Sequence, residues 1–201
     1  MTLTSTAPYF SQWESRHLAS AIIAGNHPLY DDPLWEESGA PSAEEYALWA
    51  NHICGMACLK MVLAARTGIV HPTFFLLERA QKYGAYLQEE GSIRGMIYAP
   101  FNEMLKKDFS IDAEIVTNVA VENIGALLGN AQFFIASVHP FIRWPEREPP
   151  KKGGHLVLVT NVSGDYLTFH NPSGHSVESQ ENVTMDAQDF GRYFAGRGIL
   201  I

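Results

Sequence analysis

The chain has 201 residues, 46% of them hydrophobic, which suits a single domain with a sizeable core. Its formal net charge is −8, and its lysines and arginines cluster no further than the pairs Lys106-Lys107 and Lys151-Lys152, so nucleic-acid binding and adsorption to an anionic membrane are disfavoured. No apolar run reaches the length of a membrane span, and Met1 to Pro8 lacks the basic segment and apolar core of a signal peptide. A cytoplasmic protein with reduced thiols is expected.

Pro8-Tyr9-Phe10 reads as extended. Ser11 is placed as the N-cap of a helix through about Ala24, with Glu14 completing a capping box. Residues 28–42, with three prolines and Gly39, read as a surface loop. Ser42 starts a short helix to about Trp49. A second helix runs from Cys54 to about Arg66 and stops at Gly68. Pro72 to about Leu87 and Ala99 to Phe109 complete a helical half over about 1–110.

The period then changes. Ala113–Thr117 and Gln132–Val138 read as strands, with a helix from Val121 to Leu128 between them. Pro140–Gly154 is a long, proline-rich, charged loop. His155–Thr160 and Tyr166–His170 form a hairpin across the Ser163-Gly164-Asp165 turn. A short helix from Met185 or Asp186 to about Phe194 and a strand from Gly198 to Ile201 close a sheet half over about 111–201. Helices followed by an antiparallel sheet make an α+β fold, read as one domain over 1–201.

The helix at Cys54 carries the chemistry. Leu59, Val62 and Leu63 mark a buried face, so Cys54-Gly55 falls at the helix N-terminus, where unpaired N–H groups favour a thiolate. Cys58 lies one turn on, too near for a useful disulfide, and no Cys-x-x-Cys or His-x-x-x-His pair supports a metal, so neither metal nor cofactor is expected. A cysteine hydrolase needs a base, a group that orients it and oxyanion donors. Among eight histidines His155 stands out, because two glycines precede it and a buried strand follows. The hairpin brings residues 169–173 opposite 155–157, and the Asn171 amide oxygen suits the imidazole N–H, although Asn171-Pro172 also reads as a plain turn. The Cys54 N–H is a natural oxyanion donor; a second amide comes from Asn51 or from the distant Gln12.

Four blocks then occur in order: Pro8-Tyr9-Phe10-Ser11-Gln12, Cys54-Gly55-Met56-Ala57-Cys58-Leu59, Gly153-Gly154-His155-Leu156-Val157-Leu158-Val159, and Phe169-His170-Asn171-Pro172. Together they resemble the papain-like cysteine peptidases related to the bacteriocin-processing (double-glycine leader) peptidases, as a stand-alone member. The resemblance implies a papain-like fold, with the catalytic helix packed on the antiparallel sheet. It implies Cys54 as nucleophile, His155 as general base and acid, Asn171 as orienter and Gln12 as oxyanion donor. Met56 stands where the family usually has proline, Asn171 where it more often has aspartate, and 41 residues separate Gln12 from Cys54 instead of a short gap. That insertion, with Asp31, Asp32, Trp35, Glu36 and Glu37, is expected to wall one side of the cleft.

The implied reaction is acyl transfer through a Cys54 thioester on a peptide or small amide. Water as acceptor makes a peptidase or amidase; an amine makes a transferase or cyclase; a catalytically silent binding domain is the reading from another class. Trp13, Asn51, Trp144 and Gly154 are the candidate substrate-binding residues. The acidic balance of the chain hints at a basic or neutral substrate.

Overall fold

The structure, a computed structural model, describes residues 7–201. Most of the stretch read for a signal peptide lies outside the described residues. The helical half comprises α1 (Ala19–Ile23), α2 (Ala43–Trp49), α3 (Cys54–Thr67), α4 (Thr73–Lys82), a small hairpin β1 (Leu87–Glu89) and β2 (Ser92–Arg94), and α5 (Tyr98–Phe109). The second half comprises β3 (Glu114–Thr117), α6 (Ile124–Leu128), β4 (Phe134–Val138), β5 (His155–Ser163), β6 (Tyr166–His170), β7 (Val183–Asp186), α7 (Ala187–Tyr193) and β8 (Phe194–Leu200).

Six strands form one antiparallel sheet in the order β3-β8-β4-β5-β6-β7. Alternate residues of the central strands feed two cores. Ile135, Leu156, Leu158 and Ile199 face the helical half, while Phe134, Ala136, Val157 and Val159 face the opposite core with Ile124 of α6 and Phe190 of α7. That two-sided burial explains why β4 and the start of β5 are continuously apolar. Helix α3 lies against β5. It is apolar all round and buried from Gly55 to Ala64, as a helix at the centre of a core must be. Its one buried charge, Lys60, meets Thr73 Oγ1 at 3.3 Å and Glu14 at 3.7 Å.

Several local expectations give way to tertiary contacts. The segment from Ser11 is not a capped helix: it is irregular until a 3-10 turn at Arg16–Leu18, followed by the five-residue α1. Ser11 Oγ donates to Pro172 O at 3.1 Å and accepts from the Trp13 N–H at 3.2 Å, and Glu14 turns to Lys60 and Thr73, so the pair forms no capping box. The 28–42 stretch holds two 3-10 turns, and Asp32 is fully buried. It accepts from Tyr46 Oη at 2.6 Å and from the N–H groups of Ser15 and Leu34, a structural anchor in place of a cleft wall. Helix α4 stops at Lys82, and Leu87–Arg94 turns back as a hairpin. The closing strand begins at Phe194, four residues earlier than its sequence suggests. The Pro140–Gly154 loop opens with a 3-10 turn at Pro140–Arg143, and Arg143 is buried.

Candidate active site

Cys54 is the first residue of α3. Among the described hydrogen bonds its N–H has no acceptor in the chain; Met56 and Ala57, not Cys54, use the Ile53 carbonyl. Gly55 is dictated by packing, since a Cβ there would lie 2.8 Å from both Met96 Sδ and Tyr86 Oη and 3.1 Å from Leu156 Cδ1. On the facing strand His155 opens β5, opposite Val138 of β4. Gly154, just before it, has φ +99°, a conformation that side chains rarely adopt. The Leu156 backbone amide after His155 acts to lower the Cys54 thiol, and Cys54 and His155 line the same cleft, so the helix start and the strand start come together there.

The hairpin behind His155 is displaced by a bulge between Val159 and Asn161. The pairing of Leu158 with His170, continued toward the strand start, sets His155 level with Ser173. Asn171 Oδ1 lies 2.8 Å from His155 Nε2, and Ser173 Oγ lies 2.9 Å from the same nitrogen. The Ser173 N–H donates to Asn171 Oδ1 at 3.2 Å. A backbone N–H can only donate, so the amide oxygen, not its nitrogen, faces the ring. His155 Nε2 must then carry the proton, and Nδ1 is the nitrogen with an open lone pair. Ser173, absent from the sequence expectations, is the second group fixing the ring; only the register reveals it.

Burial sets the protonation states. It pushes the Cys54 thiol up to about 11, against the lowering effect of the Leu156, Gly55 and Cys54 amides and of Arg143. It pushes His155 down to about 3, and the Arg143 charge adds to that, while the Asn171 bond opposes it. Both shifts favour the neutral forms, a thiol and an uncharged imidazole. The thiolate expected from the helix terminus alone is outweighed by desolvation.

Gln12 is 4% exposed, and its Nε2 donates to Ala50 O at 3.0 Å. That carbonyl needs a donor, which fixes the amide orientation and leaves the second N–H of Gln12 uncommitted. Asn51 Oδ1 accepts from Trp13 Nε1 at 3.0 Å, and Asn51 itself is exposed. Gln12, Trp13, Asn51, Cys54, Gly154 and His155 all line one lobe of a cleft, with Arg143 and Ser173. A second lobe shares Cys54, Gly154 and His155 and adds Met96, Tyr98 and Arg197. Gly95, beside the unforeseen β1–β2 hairpin, lines both. Trp144 lines neither; its ring lies 5.3 Å from the Arg143 guanidinium and 5.7 Å from His175. Asp31, Asp32, Trp35, Glu36 and Glu37 are also absent from both lobes, so the acidic balance of the chain does not extend into the cleft. Among the described residues, no three His, Cys, Asp or Glu side chains converge as a metal site.

No protein-family model matches the chain, and no curated protein does. Its fold is similar to that of the peptidase domain of Streptococcus ComA, described as a bi-functional ABC transporter involved in a quorum sensing pathway. The similarity has a TM-score of 0.53 at 17% identity and covers 75% of this chain and 90% of that one. The chain has the papain-like α+β fold. The expected architecture, with the helix that begins at Cys54 packed on an antiparallel sheet, is the observed one. Within it Cys54, His155 and Gln12, from three separate stretches of sequence, line one cleft, and the buried Asn171 of a fourth bonds His155.

Proposed function

We propose that the chain is a cysteine-dependent hydrolase, a peptidase or amidase, working through a thioester on Cys54. The reading is carried by the 2.8 Å contact of His155 Nε2 with Asn171 Oδ1, whose polarity the Ser173 N–H fixes. A ring held in that way leaves Nδ1 free to act as a base in the cleft that the Cys54 thiol also lines.

As the Cys54 sulfur attacks the amide carbon, its proton passes to His155 Nδ1. The carbonyl electrons move to oxygen, and the oxyanion meets the Cys54 N–H and the uncommitted N–H of Gln12. Collapse restores the carbonyl and breaks the C–N bond; the Nδ1 proton leaves with the amine. Water then attacks the thioester, giving its proton to Nδ1, and the acid departs as that proton returns to sulfur. His155 Nε2 keeps its proton on Asn171 and Ser173 throughout. Gln12 is preferred to Asn51 as oxyanion donor, because Gln12 is buried with its amide fixed, whereas Asn51 is exposed and holds Trp13.

A thiol-directed activity probe should label Cys54 in the folded protein and not in Cys54→Ala. Mass spectrometry of products formed from a peptide library should show water addition, with and without an added amine. Full turnover by Cys54→Ala would sink the proposal.

A further inference from the structure

We propose that the substrate carries a carboxylate close to its scissile carbonyl and that Arg143 binds it. The inference rests on the reading of Cys54 as an accessible nucleophile. The chain has 22 Asp and Glu residues, yet none lines either lobe around Cys54, while each lobe has one arginine. The cleft is thus a cationic site in an acidic protein.

Arg143 is the better placed of the two. It is 9% exposed, and among the described residues no carboxylate lies within 4.0 Å of it. Its Nε donates to Pro140 O at 2.9 Å and its Nη2 to Ser173 Oγ at 2.7 Å. Of the five guanidinium N–H groups, three then have no acceptor among the described hydrogen bonds. A desolvated cation without a counter-ion is costly, and an incoming anion removes that cost. The guanidinium fork matches a carboxylate in two-point geometry. The Ser173 hydroxyl that Arg143 holds is the one touching His155 Nε2, so the bound anion sits one hydroxyl away from the imidazole. Arg197 of the other lobe is exposed, where solvent already serves its charge.

Alkylation tests this without a known substrate. Iodoacetate and iodoacetamide are near isosteres that differ in charge. Each forms an S–C bond to Cys54 as the C–I bond breaks, iodide leaves and the thiol proton passes to His155 Nδ1. Rates at Cys54 of the full chain are read by peptide mass mapping, with glutathione as the reference thiol. The iodoacetate-to-iodoacetamide rate ratio at Cys54 is expected to exceed the glutathione ratio by about tenfold or more. It should fall toward the glutathione value in Arg143→Gln and be partly kept in Arg143→Lys. A wild-type ratio equal to that of glutathione overturns the anion site and leaves the nucleophile reading intact. No reaction with either reagent overturns both. A ratio lost in Arg197→Gln and kept in Arg143→Gln overturns the assignment to Arg143; the wild-type and Arg143→Lys ratios decide the matter should Arg143→Gln fail to fold.

Discussion

The backbone N–H of Gln12 donates to the carbonyl of Pro172 at 2.9 Å, joining the N-terminal segment to the turn that carries Asn171. Tyr9 Oη bonds Asn171 O at 3.0 Å and Ser11 Oγ bonds Pro172 O at 3.1 Å on the same turn. One clasp therefore sets both the amide facing the cleft and the residue that orients the imidazole. It also makes the long sequence gap between Gln12 and Cys54 harmless, because Gln12 is held by hydrogen bonds to residue 172 and to Ala50, just before Cys54, whatever the length of chain between.

Tyr9→Phe removes one strand of this clasp with the ring retained. Stability should fall by about 1 kcal/mol in urea unfolding. Turnover should fall with it at temperatures where the protein stays folded, since Asn171 loses a restraint. Unchanged turnover in a destabilised Tyr9→Phe would show that the clasp serves folding alone.

Gln12→Ala separates acyl transfer from simple thiol reactivity. With one oxyanion donor gone, kcat on an amide should drop by about 10²–10³. Alkylation of Cys54 by iodoacetamide, which develops no oxyanion, should keep its rate. Equal losses in both assays would mean that Gln12 supports the fold of the cleft and not the tetrahedral intermediate.

Asn171→Ala leaves His155 Nε2–H with Ser173 alone, and kcat should fall by about 10². Asn171→Asp acts differently. A carboxylate beside the ring favours the imidazolium, so the depressed His155 value rises and the acid limb of the kcat/KM profile moves to higher pH. A pH–rate profile of Asn171→Asp that overlays wild type would contradict the placement.

Gly55→Ala should cost about 1–3 kcal/mol by overpacking, because its Cβ meets Met96 Sδ and Tyr86 Oη at 2.8 Å. Thermal or urea unfolding measures this directly. A cost below a few tenths would show that the Tyr86 and Met96 side chains yield freely.

Buried neutral histidines predict acid lability. Burial lowers both His155 and His170, the latter also bonded to Ala7 O and the Asn182 N–H. A lowered folded value means that the unfolded chain binds the extra proton first. Stability is therefore full above the ordinary histidine range and is lost as pH falls from about 6.5, by at most about 1.4 kcal/mol per pH unit for each group. Glu14, raised by burial, works in the opposite sense. Urea midpoints at pH 7.5 and 5 should differ in this direction, and His155→Gln should flatten the slope.

The sequence by itself determined the α+β order, the α3 start at Cys54, the strand opening at His155 and the hairpin that returns to Asn171. Each rests on local rules: a buried 3.6-residue period, a β-branched run after glycines, turn residues between two apolar segments. The short helix expected from Ser42 is there, with Ser42 as its N-cap accepting from the Glu45 N–H. Ser11 Oγ does accept from a nearby N–H, that of Trp13 at 3.2 Å, but it also donates to the Pro172 carbonyl 161 positions away, and the chain there follows that long-range contact instead of a helix. The β1–β2 hairpin is too short and too exposed to leave a periodic signal. Only the tertiary structure decided which groups surround the thiol. Ser173 reaches His155 through a register set by a bulge, Gln12 reaches the cleft through long-range bonds, and Arg143 meets the Ser173 hydroxyl 30 positions on. Those are properties of where segments meet, and burial there raises the Cys54 thiol against the lowering effect of the helix-start amides.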